Sequence, residues 1–478
     1  YPLWSRGIGD VYKRQMEFLN DAEPFRIKMV EPIKKTTREE RENLIKEADF
    51  NVFKIKAENV FIDMITDSGT SAMSSKQWGG IMTGDESYAG SSSFYRLRDS
   101  VQDIMGFKYV QPTHQGRAAD FIMSQIYGTK GGYILGNLHF DSFKGHSEIA
   151  GSIPIDLIIE EGRTANSNPF PFKGNMDIEK LNLFIEEKGK ENIPLIIITV
   201  TSNGNGGQPV SMENIRSVSV IAKENNIPLM IDAARFAENC YFIKEREQGY
   251  ENKSIKEISN EMFSYADGCV MSSKKDGLVN IGGFICTRHE ELFPAINQLA
   301  IINEGFVTYG GMSGRDLEAL AIGLHEGIDQ EYLKYRIEQV KYLGEELFKR
   351  GVPIILPTGG HGVYVDAQKF YPQIPQSEFP GQALVVELYK TAGVRGVELG
   401  SCAFSKKDKE TGATIYPDLE LVRLTVSRRV YTHRHMDVVI KALENVYKRR
   451  DQMKGLKLTY EGPIISLRHF TAKFEPIA

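Results

Sequence analysis

Several things are scarce in this chain, and each scarcity excludes something. Cysteine occurs four times in 478 residues, at Cys240, Cys269, Cys286 and Cys402, with no CxxC pair. Three of the four sit in apolar strand-like or helix-like surroundings, which argues against a disulfide scaffold or a zinc site and for a reduced, cytoplasmic protein. Long hydrophobic runs are missing. The longest, Ile193 to Val200, is of strand length, far below the ~20 residues that cross a bilayer. A surplus of positive charge is missing too: 58 Lys and Arg against 63 Asp and Glu give a net charge of −5 and no footprint for nucleic acid. No internal repeat and no low-complexity linker interrupts the chain.

What remains is an ordinary globular composition, 41% hydrophobic and 25% charged, at a length that exceeds one hydrophobic core. Two domains or more are expected. Residues Tyr1 to Gln15 mix Trp4, Arg6, Gly7 and Lys13 without an apolar segment, so they do not read as a signal peptide. Met16 looks like the natural start, and residues 1–15 are set aside as a non-native extension.

Between about residues 107 and 290, short apolar runs alternate with amphipathic ones. Strands are expected at Tyr133–Leu138, Ile153–Ile159, Leu195–Thr201, Pro228–Asp232, Cys269–Ser272 and Gly283–Cys286. Helices fall between them, at Arg117–Tyr127, Asp177–Lys188 and Ser211–Glu224. Continuous apolar strands separated by helices indicate a mostly parallel sheet covered on both faces. Upstream, Thr36 to Ala48 reads as a helix with Thr36 and Glu39 at capping-box spacing. Downstream, a helical stretch over 316–350 in two pieces, runs such as Val352–Leu356, Gly362–Asp366 and Leu419–Val426, and a helix from His435 suggest a smaller α+β domain.

In parallel α/β sheets ligands sit beyond the carboxyl ends of the strands. Three expected strands end in residues with matching chemistry: Ser202-Asn203, Asp232-Ala233-Ala234-Arg235 and Ser272-Ser273-Lys274-Lys275. A lysine can hold an aldehyde cofactor, and an aspartate can keep a pyridine nitrogen protonated. The amide of Asn203 suits a phenolic ring oxygen. A phosphate calls for a helix N-terminus, which Gln115-Gly116-Arg117 supplies, with Ser272 beside it. Phe140, just past a strand end, is placed to stack on a ring. This set is what pyridoxal 5'-phosphate requires. Either lysine of the pair fits on spacing alone, each disfavouring the other's charged form.

Five segments then carry a family likeness: Thr113-His114-Gln115-Gly116-Arg117, Gly206-Gly207-Gln208-Pro209-Val210-Ser211, Phe242-Ile243-Lys244-Glu245, Ser273-Lys274-Lys275-Asp276 and Arg423-Leu424-Thr425. Together they resemble the β-eliminating lyases, from about Glu23 to Lys473. The resemblance implies an aspartate-aminotransferase-like (fold type I) enzyme. Its large domain would carry a seven-stranded, mostly parallel sheet over residues 71–325. The small domain would comprise 326–478 with the N-terminal segment 16–70. A homotetramer, a dimer of dimers with active sites at subunit interfaces, is implied as well.

By position, Lys275 would hold the cofactor and remove the α-proton, with Lys274 as its electrostatic neighbour. Asp232 would face the pyridine nitrogen, with Asn203 and Arg235 near the ring oxygen. Arg423 and Ser68 would bind substrate, Arg423 through the α-carboxylate. Tyr88 would protonate the leaving aromatic carbon from across the interface. Glu86, with the carbonyls of Gly69 and Asn280, would form a site for a monovalent cation, K+.

Two branches of the family release indole from tryptophan or phenol from tyrosine. The phenol branch has an arginine where Gly393-Val394-Arg395-Gly396-Val397-Glu398-Leu399 places Leu399. It also has paired phenylalanines where this chain reads His469-Phe470, and a threonine in place of Asp141. Asp141 and His469 would hold the indole nitrogen and move protons. The expectation is β-elimination of L-tryptophan to indole, pyruvate and ammonia; the alternative is release of phenol from tyrosine.

Overall fold

The computed structural model describes residues 22–165, 170–408, 410–463 and 465–477; the segment 1–15 and Met16 lie outside the described residues. No helix among the described residues is long and apolar enough to cross a membrane. All four cysteines are buried free thiols.

Helix α1, Arg38–Glu47, is capped one residue later than the Thr36–Glu39 spacing suggests. Thr37 accepts from the Glu40 amide at 3.2 Å while its own amide donates to the Glu40 carboxylate at 2.6 Å. Thr36 is engaged otherwise: its carbonyl and hydroxyl receive the Arg41 guanidinium.

The central sheet has seven strands: β1 Tyr109–Thr113, β2 Tyr133–Gly136, β3 Ile153–Asp156, β4 Leu195–Thr199, β5 Leu229–Asp232, β6 Gly268–Ser272 and β7 Gly283–Thr287. Their spatial order is β1-β7-β6-β5-β4-β2-β3, with only β7 antiparallel to its neighbours. Leu195 and Ile197 of β4 face one core with Met230 and Val270, whereas Ile196 and Ile198 face the other with Ile231 and Cys269. This alternation on a sheet buried from both sides is why β4 reads as an unbroken apolar run. Strand β1 escapes sequence reading because Gln111 and Pro112 interrupt its apolar character; a proline is tolerated there because β1 is an edge strand. Helix α2, Gly116–Tyr127, follows β1, and helix α3, Asp141–Ile149, follows β2 with Phe140 at its N-cap.

The stretch 316–350 divides into α4, Gly314–Gly327, and α5, Gln330–Lys349, where the Asp329 carboxylate caps the Tyr332 amide at 2.8 Å. A second core packs residues such as Ile45, Val340, Leu384 and Leu443. One face of a three-stranded antiparallel sheet enters it: β8 Gly362–Asp366, β9 Val397–Leu399 and β10 Leu421–Thr425, in the order β9-β10-β8. Val352–Leu356 is not a strand of that sheet. Pro353 within it has no N–H to donate, and only an isolated Ile354–Val365 bridge forms. Further helices include α6 Ser401–Phe404, α7 His433–Lys448 and α8 Arg468–Thr471. In register, Arg423 of β10 lies between Tyr364 of β8 and Val397 of β9, so these three share one face. That face looks away from the second core and toward the ends of β4, β5 and β6.

Candidate active site

The carboxyl ends of β4, β5 and β6, the N-terminus of α2 and the polar face of the small sheet enclose a cavity of ≈ 330 Å³. Its lining draws on residues up to hundreds of positions apart in sequence, such as Gln115, Asp232, Lys275, Arg423 and His469, the first and last of these 354 positions apart.

Lys275 is buried at its floor. Its Nζ donates to Ser272 Oγ at 2.8 Å and lies 5.6 Å from the centre of the Phe140 ring. Burial, and after it the charge of Arg235, pushes the amine down to about 8, against the opposing pull of Asp67, Asp232 and Asp120. The depression therefore comes from burial and Arg235 rather than from Lys274. Lys274 has its side chain against Gly69, and its carbonyl accepts the Gly69 amide at 2.8 Å.

Asp232 ends β5 fully buried. Burial raises its pKa although the Ala234 amide, at 3.1 Å, and Lys275 favour the charged form. Asp120, one turn into α2, is a second buried carboxyl in the cavity. Burial and then the charge of Asp232 push it up to about 7, and Ser142 donates to it. The sequence offers no pattern that flags Asp120.

At the anion-binding end, Gln115 caps α2 and Gly116 opens it. A Cβ on Gly116 would sit 2.5 Å from Ser272 Cβ, so only glycine lets the helix start approach the end of β6 this closely. Gln115, Gly116, Arg117 and Ser272 converge on one side of the cavity. Amides at a helix start, a guanidinium and a hydroxyl are the donor set of a phosphate site.

Asn203 follows β4, and its Oδ1 accepts from Arg423 Nη1 at 2.6 Å and from the Tyr364 hydroxyl at 3.0 Å, with His361 Nε2 3.1 Å away. With its oxygen saturated by these groups, its amide hydrogens remain for whatever occupies the cavity. Arg423 Nη2 also donates to the Ile65 carbonyl at 2.8 Å, so the guanidinium is oriented before any ligand arrives. His361 is kept neutral by burial and then by Arg235. Neither His361 nor Tyr364 stands out in sequence; both act through contacts made across 158 residues or more.

Asp67 and Arg235, which also line the cavity, belong to a buried charge network. Asp67 receives Arg235 at 2.7 and 2.9 Å and Arg428 at 2.8 Å. Arg428 also reaches Glu238 at 2.7 Å and Asp276 at 2.9 Å, and Arg336 reaches Glu238 at 3.1 Å. Burial alone would raise the Asp67 pKa, but the two guanidiniums outweigh it and hold the carboxyl well below its usual range. The Asp-Ser-Gly-Thr loop at 67–70 stands out as Gly/Ser-rich in sequence; the partners of Asp67 do not.

A mostly apolar far wall is formed by Phe53, Val397, Leu399, His469 and Phe470, the Phe53 ring meeting those of His469 and Phe470; Asp141 and Ser68 also line the cavity. Burial first, then Arg423 and Arg468, lower the His469 pKa to about 4, so its ring is neutral at pH 7. Burial raises that of Asp141, against the charges of Arg423 and Lys144.

Two expected groups are not in this cavity. Tyr88 is 69% exposed and stacks on Phe306 with ring centres 5.5 Å apart. Gly69 and Asn280 lie together, the Asn280 amide donating to the Gly69 carbonyl at 2.9 Å, but Glu86 pairs with Arg315 at 2.8 Å on the surface. Within one chain the three proposed cation ligands do not converge.

A buried lysine amine with its pKa lowered to about 8, a buried carboxyl, an aromatic face, a phosphate cradle and a pre-oriented guanidinium suit a phosphorylated pyridine aldehyde and an amino-acid substrate. Comparison with known proteins agrees. The family model described as "Beta-eliminating lyase" matches residues 63–442. A tyrosine phenol-lyase of Symbiobacterium sp. is 50% identical over 96% of this chain and 99% of its own. One of Fusobacterium nucleatum is 51% identical over 95% and 98%. A tryptophanase of Salinibacter ruber is 48% identical over 95% and 96%. Among solved structures, an aminotransferase from Staphylococcus aureus covers 81% of this chain and 94% of its own with a TM-score of 0.56 at 14% identity, so the fold is shared well beyond sequence likeness. The chain belongs to the β-eliminating lyase family.

Proposed function

We propose that this protein uses pyridoxal 5'-phosphate to cleave L-tryptophan, by β-elimination, to indole, pyruvate and ammonia. When bound, the cofactor supplies an electron sink that lets the α-proton leave. The chain's own residues do the rest. Lys275, whose lowered pKa of about 8 gives a far larger neutral fraction near neutral pH than an ordinary lysine has, would hold the aldehyde and then serve as base for the α-proton. Asp232 would hold the pyridine nitrogen, Phe140 would cover the ring, and Asn203 and Arg235 would address the ring oxygen. Gln115, Gly116, Arg117 and Ser272 would hold the phosphate. Arg423 takes the substrate carboxylate in a two-pronged contact that its bonds to Asn203 and Ile65 prepare. Ser68 borders the same place.

The observation that carries the choice of tryptophan is the far wall. Leu399 offers a large aromatic leaving group an apolar surface and offers a phenol hydroxyl no partner, a difference that discriminates strongly between substrates. Asp141 and neutral His469 are within the cavity to accept the indole N–H and to pass protons. We further propose that the chain assembles as a cytoplasmic homotetramer in which a second copy contributes Tyr88 as the acid at the leaving carbon. Glu86, Gly69 and Asn280 would then complete a K+ site between copies.

A second reading, release of phenol from tyrosine, is favoured by the names of the 50–51% identical relatives. Pyruvate release from tryptophan and from tyrosine, measured side by side on the cofactor-loaded enzyme with potassium present, decides between them. Faster turnover of tyrosine replaces the first reading with the second.

A further inference from the structure

His469 and Leu399 lie 70 positions apart, on segments that share no sheet, yet both border the far wall of the cavity. Between them stands Arg468, 5% exposed and the first residue of α8. Its guanidinium donates to the carbonyls of Ser401 and Cys402, the first two residues of α6, which begins directly after Leu399-Gly400. Its third arm pairs with Glu461. Helix α6 is in turn held from its amide side: Glu398 accepts from the amides of Cys402 and Ala403 at 2.8 and 3.0 Å, and Glu420 from that of Ser401 at 2.8 Å. The next residue after Arg468 is His469, whose carbonyl accepts from Asn51 at 3.2 Å.

We propose that Arg468 is a positioning residue for substrate choice, clamping the segment that carries His469 and Phe470 onto the end of the strand that carries Leu399. Five N–H donors spread over a rigid planar fork can bridge two carbonyls on one side and a carboxylate on another, whereas the three donors of a lysine radiate from a single atom and cannot span the same separation. Among the described residues, the side chains of Lys275, Asp232 and Arg423 make no hydrogen bond to Arg468, Ser401, Cys402 or Glu461. The clamp therefore sets the geometry around the leaving group and leaves the groups that remove the α-proton alone. This rests on the reading that the far wall receives an aromatic leaving group.

The test compares two substrate classes on cofactor-loaded enzyme. One is whichever of tryptophan and tyrosine the wild type turns over. The other is S-methylcysteine, which with water gives pyruvate, ammonia and methanethiol and has no ring to seat. Arg468→Met should lower kcat/KM for the aromatic substrate about 10- to 100-fold, the scale of a ~1 Å misplacement, and that for S-methylcysteine by no more than about twofold. Arg468→Lys should recover part of the loss. Glu461→Gln, at the outer edge of the clamp, should shift the ratio in the same direction by a smaller factor, and it serves where Arg468→Met does not fold. Equal losses on both classes, or an unchanged ratio in soluble Glu461→Gln, overturn the clamp while the proposed activity stands. A wild type that releases pyruvate from S-methylcysteine but from neither aromatic acid overturns the reading of the far wall itself.

Discussion

Replacing Asp67 with alanine would leave Arg235 without its counter-charge inside the protein. Asp67 receives two bonds from Arg235 and one from Arg428, and all three side chains are buried. Arg428 keeps Glu238 and Asp276, so the uncompensated charge falls on Arg235. Removing one side of a buried ion pair costs about 3–5 kcal/mol. Asp67→Asn keeps an acceptor in place and is expected to cost less, ~2 kcal/mol, as for a single bond to a charged group. Midpoints of urea denaturation on the cofactor-free protein measure both.

The sign of the pH dependence follows from the depressed Asp67 pKa. Its stabilisation is present at neutral pH and is lost in acid, as the pH falls below the ordinary carboxylate range toward the folded value. The Asp67→Asn and wild-type curves should converge there. A second readout comes from Lys275, whose amine Asp67 pulls up and Arg235 pushes down. Without Asp67 the Lys275 pKa falls further below about 8. The pH at which the amine reaches half its maximal rate of capturing an aldehyde should drop accordingly. A loss under about 1 kcal/mol in Asp67→Ala, well short of the buried-pair range, together with an unmoved pH midpoint, would refute the view that Asp67 holds this network together.

Three further outcomes follow from the geometry. In the wild type, aldehyde capture by Lys275 should rise with pH and level off above about 8; a rate still climbing at pH 10 would mean the amine is not depressed. Because the folded pKa lies below the ordinary 10.5, the unfolded chain binds more protons between the two values. Stability should therefore rise with pH across about 8 to 10.5, and Lys275→Met should abolish that rise while cutting pyruvate release by at least ~10²-fold. Leu399→Arg, which puts a donor on the far wall, should move the tyrosine-to-tryptophan ratio of kcat/KM toward tyrosine by at least about tenfold. Steady-state pyruvate assays read it, and a ratio unchanged or moved toward tryptophan counts against the role given to Leu399. Gly116→Ala should weaken cofactor binding at least about tenfold, since the new methyl overlaps Ser272 and displaces the helix start from the phosphate position; titration of the cofactor's absorbance checks this, and unaltered affinity would show that the contact gives way freely.

The central sheet is legible in the chain because its chemistry is local. Six of its seven strands are expected from the sequence, most of them as apolar runs and the edge strand β3 despite its Pro154, and their carboxyl ends carry Asn203, Asp232 and Lys275. That a parallel sheet gathers such ends at one edge is a rule of topology, so three of the cavity's functional groups follow from pattern and rule together. Strand β1 hides behind Gln111 and Pro112, because an edge strand need not be apolar throughout.

Other features belong to tertiary structure alone. Lys275 and Lys274 are indistinguishable by spacing. Burial decides between them, since Lys275 lies fully inside beside Arg235 whereas Lys274 is about half buried and turned to Gly69. Asp120, Asp67, His361 and Tyr364 carry no motif, and each matters through partners brought from distant parts of the chain. A charge or a hydrogen bond gains its strength from the low-dielectric place where it is made, and only the folded chain creates that place. The far wall shows both halves of the lesson. Leu399, Asp141 and His469 can be picked out in the sequence by resemblance, but the guanidinium of Arg468 that joins two of their segments appears only where α8 packs against α6.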